Sequence, residues 1–178
     1  MKQTFLNRIK RFGRNEDGQM VVEFALGVPL IFTLFLTSVE MGIYSMRQVF
    51  LDRGVDMTVR NIRLNTGANY THLDLKQMIC TYSGLPNDCD NTLRLSMNPI
   101  DMRNFNGFGG SADCVDISQP VTPLQVFSNG LDHEVMLIRA CYMFKPVFPT
   151  SGLGHSFTKD GSGRAKMVSV SAFVQEPQ

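Results

Sequence analysis

A charge excess of either sign is the first thing this chain lacks. Lysine and arginine number 17 against 16 aspartate and glutamate, a formal net charge of +1. No global basic field draws it to nucleic acid, so no nucleic-acid partner is expected. Catalytic signatures are missing as well. His72, His133 and His155 stand far apart and form neither an H-x-x-x-H nor an H-E-x-x-H pattern. His133 and Glu134 are adjacent, which on a strand puts them on opposite faces. Isolated histidines of this kind are expected in solvent. No G-x-S-x-G elbow occurs, and no Gly-Lys-Ser/Thr follows a strand-like run to cradle a phosphate. C-x-x-C is absent, and no histidine lies close to a cysteine pair, so neither a metal nor another cofactor is expected. An enzyme is therefore not expected. No internal repeat is visible.

What is present begins with an ordinary balance for a folded protein: 178 residues, 43% hydrophobic and 19% charged. Its charges are unevenly placed. Before Gly18 stand five basic residues (Lys2, Arg8, Lys10, Arg11, Arg14) and only two acids, Glu16 and Asp17. Residues 24–39, FALGVPLIFTLFLTSV, then carry no charge, and beyond residue 46 twelve bases balance twelve acids. A basic tail, an apolar run and a long neutral region place the N-terminus in the cytoplasm and the bulk outside. Sixteen residues span about 24 Å as a helix, short of a bilayer core; Met20 to Met46 spans about 40 Å, with Glu23 and Glu40 near the two interfaces. A cleaved secretory signal is the rival reading. Against it, the apolar run is long for such a signal, and no small-x-small site follows.

The chain instead continues at helical period. Tyr44, Leu51, Val55, Val59 and Ile62 share one side, and Asp56 and Arg60 are spaced for an i,i+4 ion pair. Met41, Met46 and Met57 read as helix packing. The helix should end at Asn65-Thr66-Gly67. Pro29 removes one backbone hydrogen bond from it and predicts either a simple kink or a hinge.

Glu23 sits just inside this apolar helix, where a carboxylate costs on the order of 3 kcal/mol at mid-membrane and less near an interface. Its surroundings are a basic tail, Gly18, Gln19, then Glu23 as the fifth residue after the glycine, with Phe24 next. This arrangement resembles a type IV prepilin-type leader. The resemblance implies that a prepilin peptidase cuts between Gly18 and Gln19, and that Glu23 of one subunit pairs with the freed α-amino group of a neighbour. Two opposite charges buried together cost less than one alone, so Glu23 would act with Phe24 in packing and register. The longer run DGQMVVEFALGVPLIFTLFLTSVEMG is similar to the N-terminal segment of the TadE-like family, minor pilins or pseudopilins of tight-adherence (Tad) pilus systems. The shared features are the D-G before the cut, V-E-F-A-L, Pro29 four residues after Ala25, and Glu40 ahead of Gly42. Chain length, and Phe24 where major pilins often carry tyrosine, fit the minor class.

The outer region offers a capping box at Thr71-His-Leu-Asp74, which predicts a helix over 72–82. Strand-like runs follow at Thr92–Met97, Glu134–Phe144 and Ala165–Val174, with a weaker one at Cys114–Ser118. Glycine-rich stretches at 104–110 and 151–163 read as loops. Asn69-Tyr70-Thr71 matches a glycosylation acceptor, a pattern short enough to arise by chance. Four cysteines, Cys80, Cys89, Cys114 and Cys141, fall on the outer side, where two disulfides are expected in place of buried thiols. Three pairings are open; Cys80–Cys89 would close a short loop through residues 84–87 and leave Cys114–Cys141.

Together these readings predict an α+β fold: a long N-terminal membrane-spanning helix continuing into an amphipathic helix, packed on a small disulfide-linked antiparallel sheet domain. The expected division is 1–18 as a cleaved leader, 19–66 as the helix and 67–178 as the extracytoplasmic domain. The leading functional reading is a minor pilin or pseudopilin in an adhesion pilus. Its partners would be prepilin peptidase, other Tad pilins, the assembly machinery and the membrane. The alternative is a signal-anchored single-pass envelope protein whose outer domain binds a ligand or partner. A third reading, a secreted enzyme, requires a mature N-terminus after residue 38.

Overall fold

A computed structural model describes residues 18–65, 67–86, 88–103, 114, 127–150 and 152–177. The basic tail before Gly18, the glycine-rich stretch 104–110 and positions 115–118 of the weaker strand candidate lie outside the described residues. Helix α1 runs over Gln19–Leu64, 46 residues, followed by α2 (His72–Ser83), the single turn α3 (Cys89–Thr92) and strand β1 (Leu93–Pro99). After them come β2 (Val135–Phe144), the short helix α4 (Gly152–Ser156) and β3 (Ala165–Val174). The three strands form one antiparallel sheet in the order β1-β2-β3.

The register explains why these segments are strands. Leu93 pairs with Tyr142, Leu95 with Ala140 and Met97 with Ile138; across the other seam Met136 pairs with Phe173, Tyr142 with Met167 and Phe144 with Ala165. Period-two alternation thus brings these side chains onto one face, and all are buried. Against that face lies the amphipathic half of α1, with Leu51 and Val55 fully buried and Val59 and Ile62 nearly so. Full burial of one such aliphatic side chain contributes roughly 2 kcal/mol, so this face anchors the sheet to the helix. Central strand β2 is buried on its second face too, through Leu137, Cys141 and Met143, which accounts for its unbroken apolar run.

Helix α2 starts at the reciprocal capping box. The Asp74 N–H donates to Thr71 Oγ1 at 3.2 Å, and the Thr71 N–H donates to the Asp74 carboxylate at 2.9 Å. It stops at Gly84, whose φ of +61° is left-handed. Where α1 and α2 cross, Gly54 permits close approach: a Cβ there would stand 2.8 Å from the Ile79 carbonyl oxygen and from Ser83 Cβ. Disulfides join Cys80 to Cys89, tying α2 to α3, and Cys114 to Cys141 on β2.

Several sequence expectations change. Residues 152–156 of the expected loop are helical. Thr92 closes α3 and β1 opens at Leu93; Glu134 belongs to a turn, its carboxylate accepting the Leu131 N–H at 2.9 Å. Asp56 and Arg60 are both exposed and form no ion pair; the neighbouring Arg63 pairs with Glu176 instead, at 3.2 Å. Met41, Met46 and Met57 are not packed but exposed, on the side of α1 away from the sheet. His72 is half-buried, its Nε2 3.1 Å from the Leu95 carbonyl oxygen and its ring edge-on to Phe127.

Candidate assembly interface on the long helix

The sheet covers only the C-terminal part of α1. From Met20 to Phe35 the helix projects alone: Met20 is 83% exposed and Leu26 73%, and Phe24, Ile31, Phe32 and Phe35 are uncovered too. Its most apolar 18-residue window has a mean hydropathy of 2.1 and none of it is buried. Water does not tolerate such a surface on an isolated subunit, so lipid or protein must cover it.

Within this segment the polar groups divide into two kinds. Hydroxyls turn back on the helix: Thr33 donates to the Pro29 carbonyl (2.6 Å), Thr37 to that of Leu34 (2.8 Å), and Ser38 also to that of Leu34 (2.8 Å). Back-bonding satisfies them in an apolar surround. Glu23 is different. It is exposed and has no partner among the described residues. Phe24 beside it is 70% exposed. Gly18 precedes the helix, its carbonyl accepting the Val22 N–H at 3.2 Å, and a Cβ at Gly18 would meet nothing within 4 Å. Gly18, Gln19, Glu23 and Phe24 therefore fall together at the N-terminal end of α1. Pro29 lies further along, and α1 stays helical on both sides of it.

At the other end of the projection is a site that sequence reasoning missed. Glu40 is 1% exposed, and its carboxylate accepts the Val147 N–H at 3.1 Å and the Phe148 N–H at 2.9 Å. One helical turn or two further on, Arg47 donates to the Lys145 carbonyl at 2.9 Å and lies over the Phe144 ring, 5.5 Å from its centroid. Tyr44 stacks on Phe157 at 5.3 Å. Gly152, at φ +51°, fits against Thr37, where a Cβ would collide with that side chain. Glu40 is thus not an interfacial charge left to solvent but the buried clamp by which the segment after β2 grips the helix. The only cue in the sequence was an acid ending the charge-free run.

Gln19 to Thr37 measures about 27 Å along a helix, close to the thickness of a bilayer's hydrocarbon core. The free part of α1 is thus long and apolar enough to serve as a membrane anchor.

No curated protein and no solved structure matches the chain. Residues 18–60, from the glycine ahead of α1 to its last turns, match the family model described as TadE-like protein. The match begins at Gly18, spans Glu23, Pro29 and Glu40, and leaves the sheet outside it. The likeness to the TadE-like family thus lies in Gly18 to Arg60, the greater part of α1.

Proposed function

We propose that the chain is a minor pilin or pseudopilin acting in assembly of a Tad adhesion pilus. It enters the inner membrane once, N-terminus in the cytoplasm and sheet domain in the periplasm or on the pilus. Prepilin peptidase then cuts between Gly18 and Gln19. The clipped subunit packs α1 among neighbouring helices, and Glu23 pairs with the new α-amino group of Gln19 on an adjoining subunit. The role is one of structure and assembly, not catalysis.

One observation carries this reading: a carboxylate with no partner among the described residues, on a helix whose apolar surface is uncovered, five residues after Gly18. A plain anchor gains nothing from such an acid, whereas a subunit that must find a register in a bundle does. The test is mass spectrometry of the N-terminus of membrane-extracted protein from the native host, together with incorporation of Glu23→Ala into pili. The expected results are a mature chain beginning at Gln19 and loss of the variant from the filament. An intact leader on the working protein, or normal incorporation of Glu23→Ala, contradicts the proposal.

A further inference from the structure

The clamp at Glu40 sets the height of a surface as well as gripping the helix. Val147 and Phe148 are held to Glu40, Lys145 is held by Arg47, and α4 lies against Thr37. Counted from Met20 along the helix, Thr37 lies at about 26 Å, Glu40 at about 30 Å and Arg47 at about 40 Å, so residues 145–150 and 152–159 span the level of a headgroup layer. Its composition suits that level. From Lys145 to Lys159 there is no acidic residue, and Lys145, His155 and Lys159 supply the only ionisable groups. Lys159 is partly engaged, its Nζ donating to the Pro149 carbonyl at 2.8 Å, while Lys145 is exposed. Between them Val147 turns an apolar side chain outward, 45% exposed although its N–H is fixed to Glu40.

We infer that residues 145–150 and 152–159 form a membrane-surface contact, in which Val147 enters the boundary between headgroups and acyl chains and Lys145 meets the phosphates of anionic phospholipid. This rests on the reading of residues 19–38 as a membrane anchor. A cation at such a surface and a shallowly inserted apolar residue reinforce one another, because the helix already delivers both to the interface and little further ordering is needed. Before assembly the contact would hold the sheet domain upright on the lipid by a second point beside the helix.

The chain contains no tryptophan, so a single one reports its own site. Full-length Phe32→Trp, Val147→Trp and Leu131→Trp would be reconstituted into phosphatidylethanolamine–phosphatidylglycerol vesicles, with and without brominated acyl chains. Leu131 is 72% exposed and lies at the opposite end of β2, so it serves as the dry-land control. Phe32→Trp should be quenched strongly, Val147→Trp should shift to the blue and be quenched by bromines near the headgroup end, and Leu131→Trp should do neither. Adding Lys145→Glu to Val147→Trp should reduce its quenching in these vesicles while leaving its emission in detergent unchanged. If Phe32→Trp is quenched but Val147→Trp behaves like Leu131→Trp, the surface contact is overturned and the anchor stands. If Phe32→Trp is not quenched, the anchor reading fails and takes this inference with it. Quenching of Val147→Trp that is indifferent to Lys145→Glu and to replacing the anionic lipid with phosphatidylcholine overturns the headgroup part.

Discussion

Two carboxylates on one helix have opposite fates, and the difference is their access to N–H donors. Glu23 faces outward with no partner among the described residues, whereas Glu40 is enclosed and receives two backbone donors. Removing the Glu40 side chain strands the N–H groups of Val147 and Phe148 and leaves a void beside α1. Each stranded donor costs about 1–3 kcal/mol when water cannot replace the acceptor. Glu40→Ala should therefore lower stability by about 3 kcal/mol, and Glu40→Gln by less, because one amide oxygen remains. Urea titrations of the detergent-solubilised protein would measure both; equal, negligible losses would refute the clamp. The oddity of Glu23 was legible from one line of sequence, because a charge in an apolar run is a local anomaly. The role of Glu40 was not. Its donors are 107 and 108 positions away, and no periodicity links them.

Legibility at the level of elements follows the same divide between local and distant causes. Helix α2 could be read because its start is encoded within four residues: Thr71 and Asp74 cap one another. Strands β1, β2 and β3 could be read because one buried face imposes alternation, and α1 because its sheet-facing residues recur at helical spacing. Helix α4 could not, since its glycines signal a loop and only its seat against Thr37 makes them helical. Nor could the need for Gly54, which is set by the crossing of α2. The cap of α2 makes a prediction about pH. Hydrogen bonds from the Thr71 hydroxyl, and secondarily its backbone N–H, hold the Asp74 carboxyl below its ordinary value of 3.8. A carboxyl depressed in the folded state binds its proton first in the unfolded chain, so its contribution is complete above the ordinary value and fades as pH falls through the folded one. Stability followed by urea midpoint should thus drop between about pH 5 and lower values, and Asp74→Asn should flatten that part of the curve. Thr71→Ala should cost about 1 kcal/mol near neutrality through loss of the cap. An unchanged acid slope in Asp74→Asn would mean that other carboxyls govern the transition.

On the scale of the whole molecule, the chain is a bare apolar rod with a sheet clasped to its far half. The rod buries nothing of its own N-terminal surface, so its stability as a folded unit depends on the clasp and on the cross-links within the sheet domain. Those cross-links are of unequal span. Cys80 and Cys89 are 9 residues apart, whereas Cys114 and Cys141 are 27 apart and join the central strand to a distant stretch of chain. Cross-linking restricts the unfolded chain more when the closed loop is longer, and a threefold difference in span corresponds to about 1 kcal/mol. Both Cys89 and Cys141 are nearly fully buried, so replacing each pair by alanine removes similar packing and leaves the loop term as the main difference. Cys114→Ala/Cys141→Ala should therefore be less stable than Cys80→Ala/Cys89→Ala by about 1 kcal/mol in urea unfolding under oxidising conditions. Dithiothreitol should bring the parent protein down by more than either double variant falls alone, because it opens both loops at once. If the two double variants unfold at the same midpoint, the longer bridge does not restrict the unfolded chain as its span requires, and the clasp on α1 carries the stability of the domain instead.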